Sequence, residues 1–132
     1  LKNILISLRP HVKGKLVCVF GAGGDRDKEK RPFMGKVASG LADLTIVTDD
    51  NPRSEPPSVI REEIMKGCPS AQNVGGRSEA IRLGLSKLSD GDLLVIAGKG
   101  HETGQEIGGT TIPFNDAAFV SAHLNDVFGG VP

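Results

Sequence analysis

Leu16-Val17-Cys18-Val19-Phe20-Gly21-Ala22-Gly23-Gly24-Asp25-Arg26-Asp27 is the stretch on which the reading of this chain turns. Five apolar residues run without a polar break and close on a glycine. An unbroken run of this kind is the pattern of a strand covered on both faces, since neither side of it meets water. Leu44-Thr45-Ile46-Val47-Thr48 and Leu93-Leu94-Val95-Ile96-Ala97 repeat the form, and residues 71–74 make a shorter, weaker candidate. Between these runs lie helical patterns. Phe33, Val37 and Leu41 form a stripe after Pro32, which suits a first helical turn. Ile60 and Ile64 form another, behind two prolines with Ser54 as the expected cap. Ile81, Leu85 and Leu88 form a third, stopped by Asp90-Gly91. Strand then helix, repeated, requires crossover connections and a parallel sheet.

Outward from that centre, Leu1, Ile4, Leu5 and Leu8 follow the i, i+3, i+4, i+7 template of an amphipathic helix, ended by Pro10 and Gly14. Towards the other end, Gly108-Gly109 between Gln105-Glu106-Ile107 and Thr110-Thr111-Ile112 predicts a two-residue hairpin, because glycine supplies the positive φ such a turn needs. A last helix is expected from Asn115 as cap, with Val120, Leu124 and Val127 facing in. The fold class is therefore α/β: a Rossmann-like open sheet, mostly parallel, of about six strands, with a C-terminal antiparallel hairpin and helices on both faces. One domain over residues 1–132 accounts for the length. The chain opens at Leu1 directly on helix-like sequence, which predicts a piece of a longer protein.

Composition excludes several classes. Sixteen Lys and Arg balance sixteen Asp and Glu, for a net charge of 0. Nucleic acids and anionic membranes both need excess positive charge, so neither is expected as partner. Five Phe with no Trp or Tyr leave little for stacking on bases. No apolar stretch approaches the ~20 residues of a membrane span, and no signal peptide is expected. Cys18 and Cys68 read as free thiols of a reducing cytoplasm.

Glycine, at 18 of 132 residues, is about twice its usual ~7%. It gathers where an open parallel sheet binds ligands, in the loops beyond the carboxyl ends of its strands. Those loops are Gly21-Ala22-Gly23-Gly24-Asp25-Arg26-Asp27, Thr48-Asp49-Asp50-Asn51-Pro52-Arg53 and Ala97-Gly98-Lys99-Gly100-His101-Glu102. The first opens like a dinucleotide fingerprint, but Arg26 stands where its third glycine belongs. Neither glycine loop has the GxxxxGK[ST] order that cradles ATP phosphates. The glycines would serve equally for a tight turn, with Asp25 or Asp27 capping the next helix. Arg26 opposes the helix dipole there unless an anion meets it.

Arg53 follows a proline that stiffens its loop, and a guanidinium fork suits a carboxylate. The plain alternative is a solvated charge, or a partner for Asp49 or Asp50. Glu102 offers a carboxylate for an ammonium group, or is simply a surface acid. His101 is a candidate proton acceptor and equally a structural hydrogen-bonding residue, so no catalytic residue is assigned. No Cys/His ligand spacing and no GxSxG signature appear, so neither a metal site nor a serine nucleophile is supported. Fixed arginines, an amide and a carboxylate around one crevice suit a small zwitterion, an amino acid.

At these residues the sequence resembles a known family. Gly-Gly-Asp-Arg-Asp-Lys-Glu-Lys-Arg-Pro-Phe-Met at residues 23–34, Thr-Asp-Asp-Asn-Pro-Arg at 48–53 and Ala-Gly-Lys-Gly-His-Glu at 97–102 are similar to the carboxy-terminal domain of the Mur ligases, in the branch that adds meso-diaminopimelate. The resemblance implies a three-domain, ATP-dependent amide-forming enzyme of peptidoglycan synthesis, in which this domain delivers the incoming amino acid. ATP phosphorylates the terminal carboxylate of the UDP-MurNAc-dipeptide, and the amine of diaminopimelate attacks the acyl phosphate. By resemblance, Arg26 binds the carboxylate beside the attacking amine, and Asn51 and Arg53 hold the far carboxylate. The Gly98 carbonyl and Glu102 hold the far ammonium, and Asp50 is counted among the substrate-binding residues.

ATP and Mg²⁺ would be held mainly by the absent central domain and not by this one. The enzyme is expected to be a cytoplasmic monomer, and this fragment alone to be inactive. Family members that add lysine usually depart from Asn-Pro-Arg, which this sequence keeps, so diaminopimelate is the specificity expected. Three alternatives stand beside this reading, the first two being a nucleotide- or dinucleotide-binding module of an oxidoreductase and a Mur paralogue that adds another amino acid. A non-catalytic interaction domain using the same sheet edge is the third.

Overall fold

The computed structural model describes residues 1–98, 104–107, 110–113, 116 and 119–121. Four strands, β1 (Leu16–Phe20), β2 (Leu44–Val47), β3 (Gln72–Asn73) and β4 (Leu93–Ile96), form one parallel sheet in the order β3-β2-β1-β4. All three strong apolar runs are strands, and the weak candidate is the two-residue edge strand β3. Every residue of β1, the central strand, is buried.

Side chains of a strand alternate between faces, and β1 shows it. Leu16, Cys18 and Phe20 join a core with Leu5 of α1 (Lys2–Leu8), Ala38 of α2 (Lys30–Leu41) and Ile60 and Ile64 of α3 (Pro57–Met65). Val17 and Val19 turn the other way, to Ala80, Ile81 and Leu85 of α4 (Arg77–Ser86). Helices thus cover both faces. Burial pushes the Cys18 thiol up to about 12, so it stays protonated and inert; Cys68 is also a buried free thiol.

Two expectations about helix faces are corrected. Phe33 does not face the core: it is 61% exposed, and α2 buries Arg31, Gly35 and Ala38 instead. The apolar stripe misled because the buried face of α2 carries a charge and a glycine. Gly35 lies directly against the Ile64 carbonyl and Cys68 Sγ, which lets α2 and α3 approach closely. Nor does Ser54 cap α3, which starts behind Pro56 with Pro57 in its first turn. The Ser54 hydroxyl donates instead to Asp25 Oδ1, across to the loop after β1.

A continuous sheet of about six strands is also corrected. β5 (Gly104–Ile107) and β6 (Thr110–Pro113) pair antiparallel as a separate two-stranded sheet. Among the described residues nothing joins them to the parallel sheet. A hairpin's register is set by its own turn, so its sequence carries no information about which edge it extends. The Gly108-Gly109 turn, Leu124 and Val127 lie outside the described residues, while Asp116 and residues 119–121 are helical.

Candidate functional site

The chain runs from β1 outward to β2 and β3, then returns across the sheet to add β4 on the other side of β1. The crevice of an open sheet lies at such a reversal. The loops after β1, β2 and β4 meet there, and a cleft of about 370 Å³ opens between them, lined among others by Gly21, Arg26, Lys30, Asp50 and Gly98. Its volume is that of a small-molecule site.

The first two loops are locked together. The Gly24 N–H donates to the Asn51 carbonyl at 2.7 Å, and the approach is so close that a Cβ on Gly24 would overlap the Pro52 carbonyl. Arg53 Nη1 donates to the Gly24 carbonyl at 3.0 Å and to its own loop at Asn51 O, 3.4 Å. Asp25 and Arg53 both hold positive φ, at 57° and 52°. Non-glycine residues stay in that region only where their surroundings hold them there, and such positions cluster at binding sites.

Glu55 and Arg31 supply much of that hold. Arg31, 1% exposed, donates from Nη2 to the Gly23 carbonyl at 3.0 Å and to Glu55 Oε2 at 2.7 Å. Its Nη1 reaches Glu55 Oε1 at 3.1 Å and Glu63 Oε2 at 3.0 Å. The Asp25 N–H donates to the same Glu55 carboxylate. The Arg31 guanidinium, then the Asp25 N–H and the Lys28 charge, bring the Glu55 carboxyl down from 4.5 to about 2.

A second buried arginine ties the other side. Arg77 donates from Nε and Nη2 to the two Asp116 oxygens, both at 2.7 Å. It also donates to the Asp49 carbonyl at 3.0 Å and the Ala97 carbonyl at 3.2 Å, so it spans the loops after β2 and β4. Asp49 accepts from Arg61 and from the Gly76 N–H. Gly98 has φ +103°, and a Cβ there would come within 3.1 Å of Asp50 Oδ2.

Of the residues singled out in the sequence, Arg26, Asp50 and Gly98 line the cleft, and Arg53 with buried Asn51 forms the wall behind Gly23 and Gly24. Arg26 is exposed and makes no ion pair or side-chain hydrogen bond among the described residues. His101 and Glu102 lie outside the described residues. Neither Asp25 nor Asp27 caps the next helix as expected: α2 starts behind Glu29 with no side-chain cap hydrogen bond, and Asp27 accepts the Glu29 N–H at 3.0 Å just ahead of it. Arg31, Glu55 and Arg77 had no place in the sequence reading, and Arg31 alone left a trace there, inside the 23–34 motif.

Acid should loosen this lock. The depressed Glu55 pKa means that its contribution to stability is complete above about 4.5 and lost as pH falls through about 2. Asp43 is held low first by Arg9 and then by the Leu16 N–H, and Asp92 by the N–H groups of Lys15 and Ser89, so both act in the same direction. Denaturant midpoints measured across that interval should fall with pH, and Glu55→Gln should flatten the fall. An unchanged slope would refute the assignment.

Comparison with known proteins gives the family of the chain. The family described as "Mur ligase, glutamate ligase domain" matches residues 1–100. A UDP-N-acetylmuramoyl-L-alanyl-D-glutamate--2,6-diaminopimelate ligase of Rhizobium meliloti (strain 1021) is 58% identical over 94% of this chain and 26% of its own length. The ligases of the same name from Brucella melitensis biotype 1 and Agrobacterium fabrum are 56% and 53% identical, over 94% and 98% of this chain and 25% and 26% of theirs. A solved structure of a UDP-N-acetylmuramoyl-L-alanyl-D-glutamate--2,6-diaminopimelate ligase superposes with a TM-score of 0.89 at 40% identity, over 95% of this chain and 26% of that one. The chain thus spans about a quarter of the length of the relatives it matches. With three-quarters of its residues inside the family match, the chain belongs to the Mur ligase, glutamate ligase domain family.

Proposed function

We propose that this chain is the amino-acid-delivering domain of an ATP-dependent ligase that joins meso-diaminopimelate to UDP-MurNAc-L-Ala-D-Glu through an amide bond. Residues 1–132 then form the last of three domains in a monomeric cytoplasmic enzyme. The observation that carries the reading is the cleft at the sheet's switch point, with exposed Arg26 on it and the Arg53 loop locked behind it.

In this reading Arg26 takes the carboxylate next to the attacking amine, and Asn51 and Arg53 take the carboxylate at the far stereocentre. The Gly98 carbonyl and Glu102 would hold the far ammonium, and Asp50, which lines the cleft, is counted with the substrate-binding residues. Contacts to both carboxylates and to the far ammonium would hold the zwitterion in one orientation. Holding a nucleophile in place is itself a large part of catalysis, because it removes the entropy of a bimolecular encounter.

Among the described residues no group of three or more His, Cys, Asp or Glu comes together that could hold a metal ion. The loops also lack a phosphate-cradling order. The reading places ATP and Mg²⁺, with the carboxylate to be activated, on the other domains.

Lysine lacks the far carboxylate and would forgo its contact with Arg53 and Asn51. That omission costs roughly a hundredfold in selectivity. Arg53→Ala in the full-length enzyme should therefore lower kcat/KM for meso-diaminopimelate by about that factor and leave lysine, already poor, almost unchanged. Amide NMR of this domain titrated separately with meso-diaminopimelate, lysine and NADH gives the direct test. Shifts at Arg26 and Arg53 from meso-diaminopimelate are the expected result. Shifts around residues 21–24 from NADH alone would overturn the reading.

A further inference from the structure

We propose that Arg31 and Glu55 are positioning residues that set the spacing between Arg26 and Arg53, and with it the selectivity of the cleft for an amino acid bearing two carboxylates. The inference rests on the reading above, that Arg26 and Arg53 each hold one of those carboxylates.

The two arginines stand on different loops, and covalent connection between them runs through α2 and β2. Some direct link must fix their separation. Beside the Gly24–Asn51, Arg53–Gly24 and Ser54–Asp25 bonds, the Glu55 carboxylate is the charged link: it receives the Asp25 N–H, one residue before Arg26, and itself sits two residues beyond Arg53. Arg31 clamps it from below with both terminal nitrogens and uses Nη2 to take the Gly23 carbonyl as well. A paired guanidinium–carboxylate fork has direction as well as strength, so it fixes angles as well as distance. Arg31 is 1% exposed and the Glu55 side chain 12%, so water competes only weakly for the pair.

Glu63 is the informative contrast. It also pairs with Arg31, at 3.0 Å, but it stands on α3 and bonds to neither loop among the described residues. It neutralises the buried cation without measuring anything. A ligand with two carboxylates on one carbon chain must meet both arginines at once, so a change in their separation weakens it twice. Lysine has one carboxylate and is indifferent to the separation.

The test uses the full-length ligase that contains this domain, with KM and kcat measured for meso-diaminopimelate, lysine, ATP and the UDP-MurNAc-dipeptide. Glu55→Gln and Arg31→Lys should each raise KM for meso-diaminopimelate about tenfold, with the loss in KM rather than in kcat, because sub-ångström misplacement has effects of that order. The kcat/KM ratio of meso-diaminopimelate to lysine should fall by a similar factor, and KM for ATP should hold. Glu63→Gln should lower the melting temperature and leave the ratio where it was.

Equal damage to every substrate, or a Glu63→Gln ratio that falls as far as that of Glu55→Gln, would make the pair merely structural and end the proposal. If Glu55→Gln fails to fold, Arg31→Lys, which keeps the buried charge and loses the fork, reads the same ratio. Arg53→Ala separates the two layers. If it leaves KM for meso-diaminopimelate unchanged, the reading of the site itself fails. If it raises that KM while the Arg31 and Glu55 variants do not, the positioning proposal alone fails.

Discussion

Asp116→Ala should destabilise the domain by about 3–5 kcal/mol, the cost of leaving one charge of a buried pair without the other. The Arg77 side chain is 0% exposed and that of Asp116 7%, and they share two parallel hydrogen bonds. Without the carboxylate, the guanidinium keeps only the Asp49 and Ala97 carbonyls, and no solvent reaches it. Urea denaturation of the variant measures the loss.

The double replacement Arg77→Met with Asp116→Leu should recover much of it, since removing both charges of a buried pair is often close to neutral. Recovery will stop short by about 1–3 kcal/mol, because the two carbonyls lose their donor. A cost below about 1 kcal/mol for Asp116→Ala would mean that the pair is solvated and weak.

Gly24→Ala should have the largest effect on binding of any single methyl group. The new Cβ would overlap the Pro52 carbonyl, and the 2.7 Å bond from Gly24 to Asn51 would break as the loops separate. Arg53 would lose the Gly24 carbonyl that it now holds. A loss of affinity for meso-diaminopimelate of about a hundredfold is expected, the scale of a misplaced binding group. Calorimetric titration of the full-length variant checks it.

Gly40→Ala provides the control. Gly40 is inside α2 with nothing within 4 Å of its would-be Cβ, so alanine there should stabilise the helix by about 0.5–1 kcal/mol and leave binding untouched. Equal affinities for the two variants would show that the contact between the loops has no part in the site.

The strands were legible because burial on both faces writes itself into sequence as unbroken apolar runs, and β1, β2 and β4 all have them. The position of the cleft was legible for a related reason. Parallel strands place all their carboxyl ends at one edge, so three unusual loops had to converge.

What could not be read were the contacts that hold those loops. Arg31 and Glu55 are 24 residues apart, and Arg77 and Asp116 39, and no local period marks such pairs. The same blindness turned α2. A search for apolar spacing finds Phe33, Val37 and Leu41 and passes over a buried arginine. Ser54 went astray for a third reason: a hydroxyl near a helix start has a strong local option, and here an acceptor from another loop won.

The position of β1 has a consequence for synthesis. The strand is translated first of the four and sits between partners made at different times, with β2 beside it early and Leu93–Ile96 last. Chains elongate at ~5–20 residues per second, so one edge of β1 waits several seconds for its neighbour. During that wait a strand apolar on both sides has unpaired N–H and C=O groups, the arrangement most prone to pairing with another nascent chain. The strand that leads into the ligand cleft is thus also the one whose birth on the ribosome is most exposed to misassembly.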